Sequence, residues 1–261
     1  MSLQSDARKA ARDGTIWETV KVVVQALVLA MVVRVFFYQP FNIPSGSMKQ
    51  TLLVGDYLFV SKVAYGYSRY SFPGSFNLFS GRMFSAEPKR GDVAVFRLPR
   101  DPSVDYIKRV IGLPGDEIQM RRGVLHINGK AVPKVAAGHF ETREDGGPVM
   151  RIPVFEETLP NGVKYKVLDL DPKGQLDDTD AYKVPVGHYF MMGDNRDNST
   201  DSRVPASNWQ GVGPVPIENF VGRAEVIFFS GAFDEPGAFR LFAPWRWPFD
   251  VRWSRFFNII R

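Results

Sequence analysis

The segment YIKRVIGLPGDEIQMRRGVLHING, residues 106 to 129, decides the expected fold. Its runs 106–111, 117–120 and 124–127 are short and rich in apolar and β-branched side chains, which favours strands. Turn sequences lie beside these runs, at Leu113-Pro114-Gly115-Asp116 and Asn128-Gly129, where proline and glycine supply the backbone angles that tight turns need. Strands that follow one another so closely predict an antiparallel, β-rich domain and not alternating βαβ units.

The same pattern continues on both sides of this segment. Further strands are predicted at residues 57–60, 92–98, 189–192 and 224–229. Between residues 121 and 187 the pattern is looser, and we interpret this stretch as a β cap subdomain inserted into the β core. Its charge runs, residues 144–147 and 177–180, are typical of solvated loops. The predicted fold class is mainly β, in a domain that spans residues 39–261.

An apolar stretch near the N-terminus runs from Val22 to Tyr38 apart from Gln25 and Arg34, and extending it back to Val20 gives 19 residues. A helix over these residues is about 28 Å long, close to the roughly 30 Å of a bilayer hydrocarbon core. Arg34 lies near the far end, where its long side chain can reach the headgroups. We therefore predict one membrane-spanning helix over residues 20–38. A cleaved signal peptide is the competing interpretation, but aromatic residues and a proline follow the stretch where small residues would be needed.

Charge on either side of the stretch predicts its orientation. Four basic residues precede its apolar part, Arg8, Lys9, Arg12 and Lys21, whereas the first basic residue beyond Arg34 is Lys49. Because basic residues are retained on the cytoplasmic side, residues 1–19 are expected in the cytoplasm. Residues 39–261 are then expected on the outer side.

Two short motifs carry the predicted chemistry, Ser45-Gly46-Ser47-Met48 and Lys108 in its strand. Together they suggest a serine hydrolase whose base is a lysine, which requires an amine that loses its proton near neutral pH. Strand alternation places Val104, Tyr106 and Val110 on the face of Lys108, and burial among them is expected to lower its pKa. A fall from about 10.4 to near 8 would require about 3 kcal/mol, which burial can supply. Taken singly, the first motif is also typical of a flexible turn and the lysine of an exposed strand position.

Composition excludes several other kinds of site. The chain has no cysteine, so thiol nucleophiles, disulfides and Cys-ligated zinc are excluded. The three histidines, His126, His139 and His188, lie away from both motifs and lack helical metal-site spacing, which disfavours a Ser-His-Asp triad and a metallopeptidase. The loop from Gly193 to Arg203 lacks EF-hand spacing. The net charge of +5 is scattered without a nucleic-acid-binding signature, and we interpret it as compatibility with a membrane.

Four blocks of sequence, in order, resemble the bacterial type I signal peptidases. The blocks are 44–48 followed by Thr51-Leu52, 55–62, 89–92 running on to 106–116, and 193–203. The resemblance covers the apolar stretch, the β core and residues 221–224, but not the detail of the insertion or the last thirty residues. One departure is visible: the family usually has proline at the position of Gln50.

The resemblance implies a Ser/Lys dyad that forms an acyl-enzyme. Ser47 would be the nucleophile and Lys108 the general base, with the Ser45 hydroxyl and the Ser47 N–H as oxyanion donors. Ser199 would hydrogen-bond the lysine, beside a charge pair between Asp201 and Arg203. The family cleaves after small residues at the first and third positions before the scissile bond, as in Ala-X-Ala sites. Candidate residues for those pockets are Ile43, Pro44, Met48, Leu52, Asp105, Tyr106 and Ile107.

The same resemblance implies partners and a location. The substrates would be signal peptides of exported preproteins, the other partners membrane lipid and the protein-export translocon, and no cofactor, metal or nucleic acid is expected. The location would be the bacterial cytoplasmic membrane. Two other classes stay open: a non-enzymatic membrane-tethered scaffold, and a soluble self-cleaving repressor, which would need a DNA-binding element.

Aromatic residues cluster in two further segments and suggest a rim at the lipid headgroups, or else ordinary packing on the core. The two sets are Tyr65, Tyr67, Tyr70, Phe72, Phe76, Phe79 and Phe84, and then Trp245, Trp247, Phe249, Trp253, Phe256 and Phe257.

Overall fold

The fold is described from a computed structural model that covers residues 3–72, 81–142, 149–171, 173–233, 238 and 244–261, with side chains from residue 16 onward. The charge run at 144–147 and the rings of Phe76 and Phe79 lie outside these residues. The helices are α1 (Leu3–Phe36) and the short α2 (Trp247–Asp250). The strands are β1 (Tyr38–Asn42), β2 (Asp56–Ser61), β3 (Val93–Leu98), β4 (Asp101–Gly112), β5 (Glu117–Arg121), β6 (Val124–Ile127), β7 (Lys130–Ala131), β8 (Lys134–Thr142), β9 (Met150–Thr158), β10 (Lys164–Leu168), β11 (Tyr182–Lys183), β12 (His188–Met192), β13 (Val215–Pro216) and β14 (Phe220–Ser230).

A seven-stranded sheet forms the centre of the domain, in the order β1-β2-β14-β3-β4-β12-β13. Its strand pairs are antiparallel throughout. The predicted strands of the core are therefore confirmed, as is the mainly antiparallel β fold class. Strand β4 lies inside the sheet, between β3 and β12, and pairs Lys108 with Ala94 of β3. Strands β1 and β2 bracket the segment that carries Ser47.

Helix α1 contains the apolar stretch, but its boundaries differ from the predicted span of 20–38. Residues Ile16–Phe36 are long and apolar enough to cross a membrane, and their side chains make no contact that buries them. The helix ends at Phe36 because Tyr38 already pairs with Ser61 in β1. Side chains of the domain cap its last turn: Lys62 donates to the Val35 carbonyl at 3.3 Å and Tyr67 to the Phe36 carbonyl at 2.6 Å. These bonds satisfy carbonyls that a helix end leaves without partners.

The predicted cap region contains more regular structure than its sequence suggested. Strands β8, β9 and β10 form a three-stranded sheet, and β5, β6, β7 and β11 form a four-stranded one. A buried cluster joins the cap to the central sheet, since Ile118 and Leu125 pack with Ile111 and Phe190. The charge run at 177–180 is not wholly solvated, because Asp177 is buried and accepts a bond from the Gly174 N–H.

The aromatic residues divide between core and surface. Tyr65 and Tyr70 are buried in the core, so they do not belong to an exposed rim. Phe84 is 85% exposed, and most of the C-terminal aromatic set is also exposed, at Trp245, Trp247, Phe249, Trp253 and Phe257. Phe256 packs against Phe229 of β14 with a ring separation of 5.7 Å.

Candidate active site

Ser47 lies in a single 3₁₀ turn, Gly46–Met48, that follows β1. The turn is held from both sides. The Lys49 N–H donates to the Gly46 carbonyl at 3.0 Å, and Asn195 donates its backbone N–H to the Ser47 carbonyl at 3.0 Å and its side-chain amide to the Gly46 carbonyl at 3.1 Å. Because the carbonyl groups of Gly46 and Ser47 are fixed in this way, the Ser47 hydroxyl points toward β4.

Lys108 reaches Ser47 from strand β4 of the central sheet. Its Nζ lies 2.6 Å from the Ser47 Oγ and 3.1 Å from the Ile107 carbonyl. The side chain is 4% exposed, and it lies with its Nζ 5.3 Å from the centre of the Tyr106 ring. The pKa of the Lys108 amine is lowered from 10.5 to about 8, chiefly by burial; the charges of Asp201 and Asp194 oppose this change, and the charge of Arg203 adds to it. A neutral amine at this distance can accept the proton of the serine hydroxyl.

Ser45 places a second hydroxyl next to the first. Its Oγ lies 3.5 Å from the Ser47 Oγ. A hydroxyl at that position can donate to an oxygen bonded to the carbon that Ser47 would attack. The structure thus brings together Ser45, Ser47 and Lys108, as the sequence predicted.

Asp194 and Arg109 fix the backbone behind the serine turn. Arg109 points to the opposite face of β4 from Lys108, is fully buried, and binds the Asp194 carboxylate at 2.9 and 2.7 Å. Thr51 joins the pair, because its hydroxyl donates to Asp194 at 2.5 Å and accepts from Arg109 at 3.1 Å. These residues were not predicted as site residues, although two of the quoted blocks contain Arg109 and Asp194.

Ser199, Asp201 and Arg203 form one buried group, with one difference from the prediction. The Ser199 hydroxyl donates to the Asp201 Oδ2 at 2.8 Å and not to Lys108, because an ionised carboxylate is the stronger acceptor. Burial alone would raise the pKa of the Asp201 carboxyl, but the charge and two hydrogen bonds of Arg203 hold it below its ordinary value. The Gly193 N–H also donates to this carboxylate, at 2.9 Å. The group therefore fixes the loop that packs against Ser47.

Gly193 leaves no room for a side chain. A Cβ at this position would lie 2.2 Å from the Ser199 Oγ and 2.6 Å from the Ser47 carbonyl oxygen. Gly193→Ala is therefore expected to displace the Ser47 turn and to reduce kcat about 100-fold, with about 1–3 kcal/mol lost in stability. Peptide cleavage and thermal unfolding measure both effects. Val135→Ala, at an exposed position on β8, is the control, and equal activities of the two variants would contradict the tight packing at Gly193.

A cavity of about 410 Å³ opens beside Ser47 and Lys108. Five of the predicted substrate-binding residues line it: Ile43, Pro44, Asp105, Tyr106 and Ile107. Other residues that line it were not predicted as substrate-binding: Phe41, Asn42, Val95, Val104, Asn198 and Thr200. Val95 could have been found from strand pairing, since it lies opposite Ile107.

Met48 and Leu52 differ from their prediction as pocket residues. Both are fully buried, in the cluster that contains Leu58 and Val221. The Leu52 N–H donates to the Met48 carbonyl at 2.8 Å, and this turn directs both side chains into the core beneath the cavity. They support the serine turn from behind and offer no surface to a ligand.

Gln50 follows the serine turn with a positive φ of 91°. Proline, which the family usually has here, holds φ near −65° and could not adopt this conformation. A non-glycine residue at such a φ costs about 1–2 kcal/mol, so the end of the serine turn is strained.

Three carboxylates outside this site come close to one another. Asp169, Asp177 and Asp197 each offer an oxygen within 4.8 Å of the others. Lys134 pairs with Asp169 and contributes a positive charge to the group. None of these residues belongs to the serine–lysine site.

Comparison with known proteins identifies the family. A family model described as "Signal peptidase, peptidase S26" matches residues 16–229. This chain belongs to the signal peptidase family S26. Signal peptidase I of Rickettsia prowazekii (strain Madrid E) is 46% identical over 210 residues, which cover 77% of this chain and 76% of the relative. Signal peptidase I of Rickettsia massiliae (strain Mtu5) is 42% identical over 236 residues, covering 87% and 85%.

A crystal structure of a signal peptidase I from Enterococcus faecalis V583 aligns with a TM-score of 0.31 at 26% identity, over 53% of this chain and 97% of that chain.

Membership of this family makes the protein a serine peptidase and confirms the resemblance drawn from the four blocks. Family membership excludes the two alternative classes, the non-enzymatic membrane-tethered scaffold and the soluble self-cleaving repressor. Together with the apolar helix α1, it supports membrane anchoring of this signal peptidase. The family match ends at residue 229, so the C-terminal segment lies beyond it.

Proposed function

We propose that the protein removes N-terminal signal peptides from exported preproteins by Ser/Lys acyl-enzyme catalysis. The observation that carries the proposal is the 2.6 Å contact between the Lys108 Nζ and the Ser47 Oγ, at the edge of an apolar cavity. Family membership supports the substrate class, and the geometry supports the mechanism.

The first half of the reaction acylates Ser47. The Ser47 Oγ attacks the scissile carbonyl carbon while its proton passes to the neutral Lys108 amine. The Ser45 hydroxyl and the Ser47 N–H donate to the developing oxyanion. The intermediate then collapses, Lys108 returns the proton to the leaving amine, and the C–N bond breaks to release the mature protein.

The second half regenerates the enzyme. A water molecule loses a proton to Lys108 and attacks the ester carbonyl, and the Ser47 oxygen leaves and regains its proton. The signal peptide is then released with a free carboxylate. Lys108 is needed in both halves, so it must be neutral at the start of each.

The cavity supports a preference for small residues. An extended peptide laid along β4 would direct alternate side chains into the cavity, and it would gain affinity from the main chain without regard to sequence. Ile43, Tyr106 and Ile107 are the apolar walls that would exclude large side chains at the first and third positions before the scissile bond.

Cleavage of a preprotein with an Ala-X-Ala site tests this function. The purified full-length protein in detergent is expected to produce one new N-terminus, immediately after the second alanine. Replacing that alanine in the substrate by leucine is expected to abolish cleavage at this bond. Equal cleavage of both substrates, or a cut elsewhere, would contradict the proposed specificity.

We further propose that residues 1–15 lie in the cytoplasm and the β domain on the outer face of the membrane. The basic residues before Ile16 support this orientation. A protease added outside sealed spheroplasts is expected to degrade the β domain and leave an N-terminal fragment. Protection of the whole chain would contradict the orientation.

Membrane lipid is a proposed partner through the exposed C-terminal aromatic residues. Rings of this kind, with arginines between them, are stable at a headgroup boundary. A fragment without residues 1–36 is expected to sediment with anionic vesicles. If it stays in the supernatant, the rings do not bind lipid.

A further inference from the structure

The C-terminal segment, Val251–Arg261, packs along the outside of β14 and reaches the loop that carries Ser47. Arg252 N–H donates to the Ser230 carbonyl at 2.9 Å, and Phe257 N–H to the Ile227 carbonyl at 2.7 Å. Ile260 packs on the core cluster that contains Met48 and Leu52. The segment is thus an ordered part of the domain, although the family match ends before it.

The serine loop, defined here as residues 43–56, closes on itself at its base. Ile43 N–H donates to the Asp56 carbonyl at 2.9 Å, and Gly55 N–H to the Ile43 carbonyl at 3.0 Å. Between these ends the loop contains Ser45, Ser47 and the unfavourable φ of Gln50. A loop with such a strained residue keeps one conformation only if its surroundings hold it.

Two arginines of the C-terminal segment hold the far half of this loop. Arg252 donates to the Val54 carbonyl at 2.8 Å, and Arg255 makes three hydrogen bonds to the loop. Its guanidinium donates to both Asp56 oxygens, at 2.9 and 2.6 Å, and to the Thr51 carbonyl at 2.9 Å. Asp56 is fully buried and also accepts from the Leu53 N–H at 2.8 Å. One side chain therefore joins the base of the loop to the residue that follows Gln50.

Thr51 connects Arg255 to the active site, because it contacts Arg255 through its carbonyl and Asp194 through its hydroxyl. Asp194 is followed by Asn195, which donates two hydrogen bonds to the Ser47 turn. Arg255 and Asn195 thus hold the serine loop from opposite ends. Asn195 lies within the segment that matches the family, and Arg255 does not.

We infer that Arg255 is a positioning residue for Ser47, and that the C-terminal segment acts as a strap on the serine loop. The inference rests on the proposed function, since it takes Ser47 as the nucleophile. Because small displacements of reacting groups cost up to about 100-fold in rate, loss of the strap should lower kcat and leave KM nearly unchanged.

The test must separate positioning from folding. Arg255→Met alone leaves the buried Asp56 carboxylate without a positive partner, although the Ser230 hydroxyl and the Leu53 N–H still donate to it, and a buried charge without its partner destabilises a protein strongly. The double variant Arg255→Met/Asp56→Asn removes the contacts of Arg255 together with that charge. A purely structural role predicts that this double variant recovers activity as it recovers stability, whereas a positioning role predicts that kcat stays low.

Steady-state cleavage of a preprotein by the full chain in detergent measures kcat. Thermal unfolding measures stability, and amide exchange of residues 49–55 measures how firmly the serine loop is held. We expect the double variant to lose at least fivefold in kcat, with faster exchange in the loop. Arg151→Met, which removes an exposed pair with Glu141, is the control and should keep wild-type kcat. If the double variant does not fold, Arg255→Lys is judged by the same criterion, because one ammonium cannot reproduce the fork of contacts.

A loss in kcat of less than fivefold in the double variant would contradict the inference that Arg255 positions Ser47. Ser47→Ala, assayed in parallel, separates this failure from failure of the proposed function. If Ser47→Ala is inactive and the strap variant is unaffected, only the strap is wrong. If Ser47→Ala cleaves normally, the nucleophile assignment itself is wrong, and the strap with it.

Discussion

Replacing Lys108 by methionine is expected to lower kcat for preprotein cleavage by about 10⁴-fold or more. The methionine keeps the volume of the side chain but removes the group that lies 2.6 Å from the Ser47 Oγ. Without a base, the hydroxyl cannot lose its proton as it attacks. Ser47→Ala removes the nucleophile itself and should give an equal loss. Because both residues act in one step, the double variant should be no worse than either single one.

Lys62→Met is the matched control for this experiment. Lys62 is also buried, and burial together with the charge of Arg34 lowers its pKa to about 8, but its Nζ binds the Val35 and Ser71 carbonyls. Its removal should affect the junction with α1 and leave kcat within a few-fold of wild type. If Lys108→Met retained the activity of this control, Lys108 would not be the base.

Loss of activity in Lys108→Met should not come from unfolding. The pKa of Lys108 is lower in the folded protein than in the unfolded chain, so the unfolded state binds more protons between about pH 8 and 10.5. The contribution of this group to stability therefore rises with pH across that window. At pH 7 the buried amine costs about 3 kcal/mol. Methionine removes this cost, so the variant should be at least as stable as wild type there.

Ser45→Ala is expected to lower kcat by about 10²–10³-fold with little change in KM. Its hydroxyl, 3.5 Å from the Ser47 Oγ, would stabilise charge that exists only as the tetrahedral intermediate forms. Removing it should therefore affect the transition state and not substrate binding. Ser103→Ala, which removes a hydroxyl bonded to Asp101 at the far end of β4, should leave the rate unchanged. Equal rates for the two variants would exclude Ser45 from the oxyanion site.

The central sheet was predictable from sequence because its strands have buried faces. In β3 and at the end of β4, apolar residues such as Val95 and Val110 pack into a core, so their patterns identify strands. The insertion was predicted to be β, but the three strands of its sheet, β8, β9 and β10, were not located. Its strand β8 is exposed at Val135 and at most other positions, so this strand shows no apolar alternation to detect, although β9 and β10 bury side chains such as Val154 and Val167.

The site was partly predictable for a similar reason. Lys108 lies in a regular strand, so its direction and its burial beside Tyr106 follow from alternation. Side chains in the irregular turn after Ser47 have no such period, and Met48 and Leu52 therefore point into the core and not into the cavity. The contact of Arg255 with Asp56 joins residues 199 positions apart. No local pattern indicates a pair so distant in the chain.

Titration of the Lys108 amine against activity tests the central claim most directly. In protein with ¹³C-labelled lysine, the Cε resonance that disappears in Lys108→Met reports the charge of this amine, and kcat/KM is measured across the same pH range. Both should titrate with a pKa near 8, with kcat/KM falling about tenfold per pH unit below it. An amine that titrates near 10.5, and is still protonated where the enzyme is most active, would contradict the mechanism.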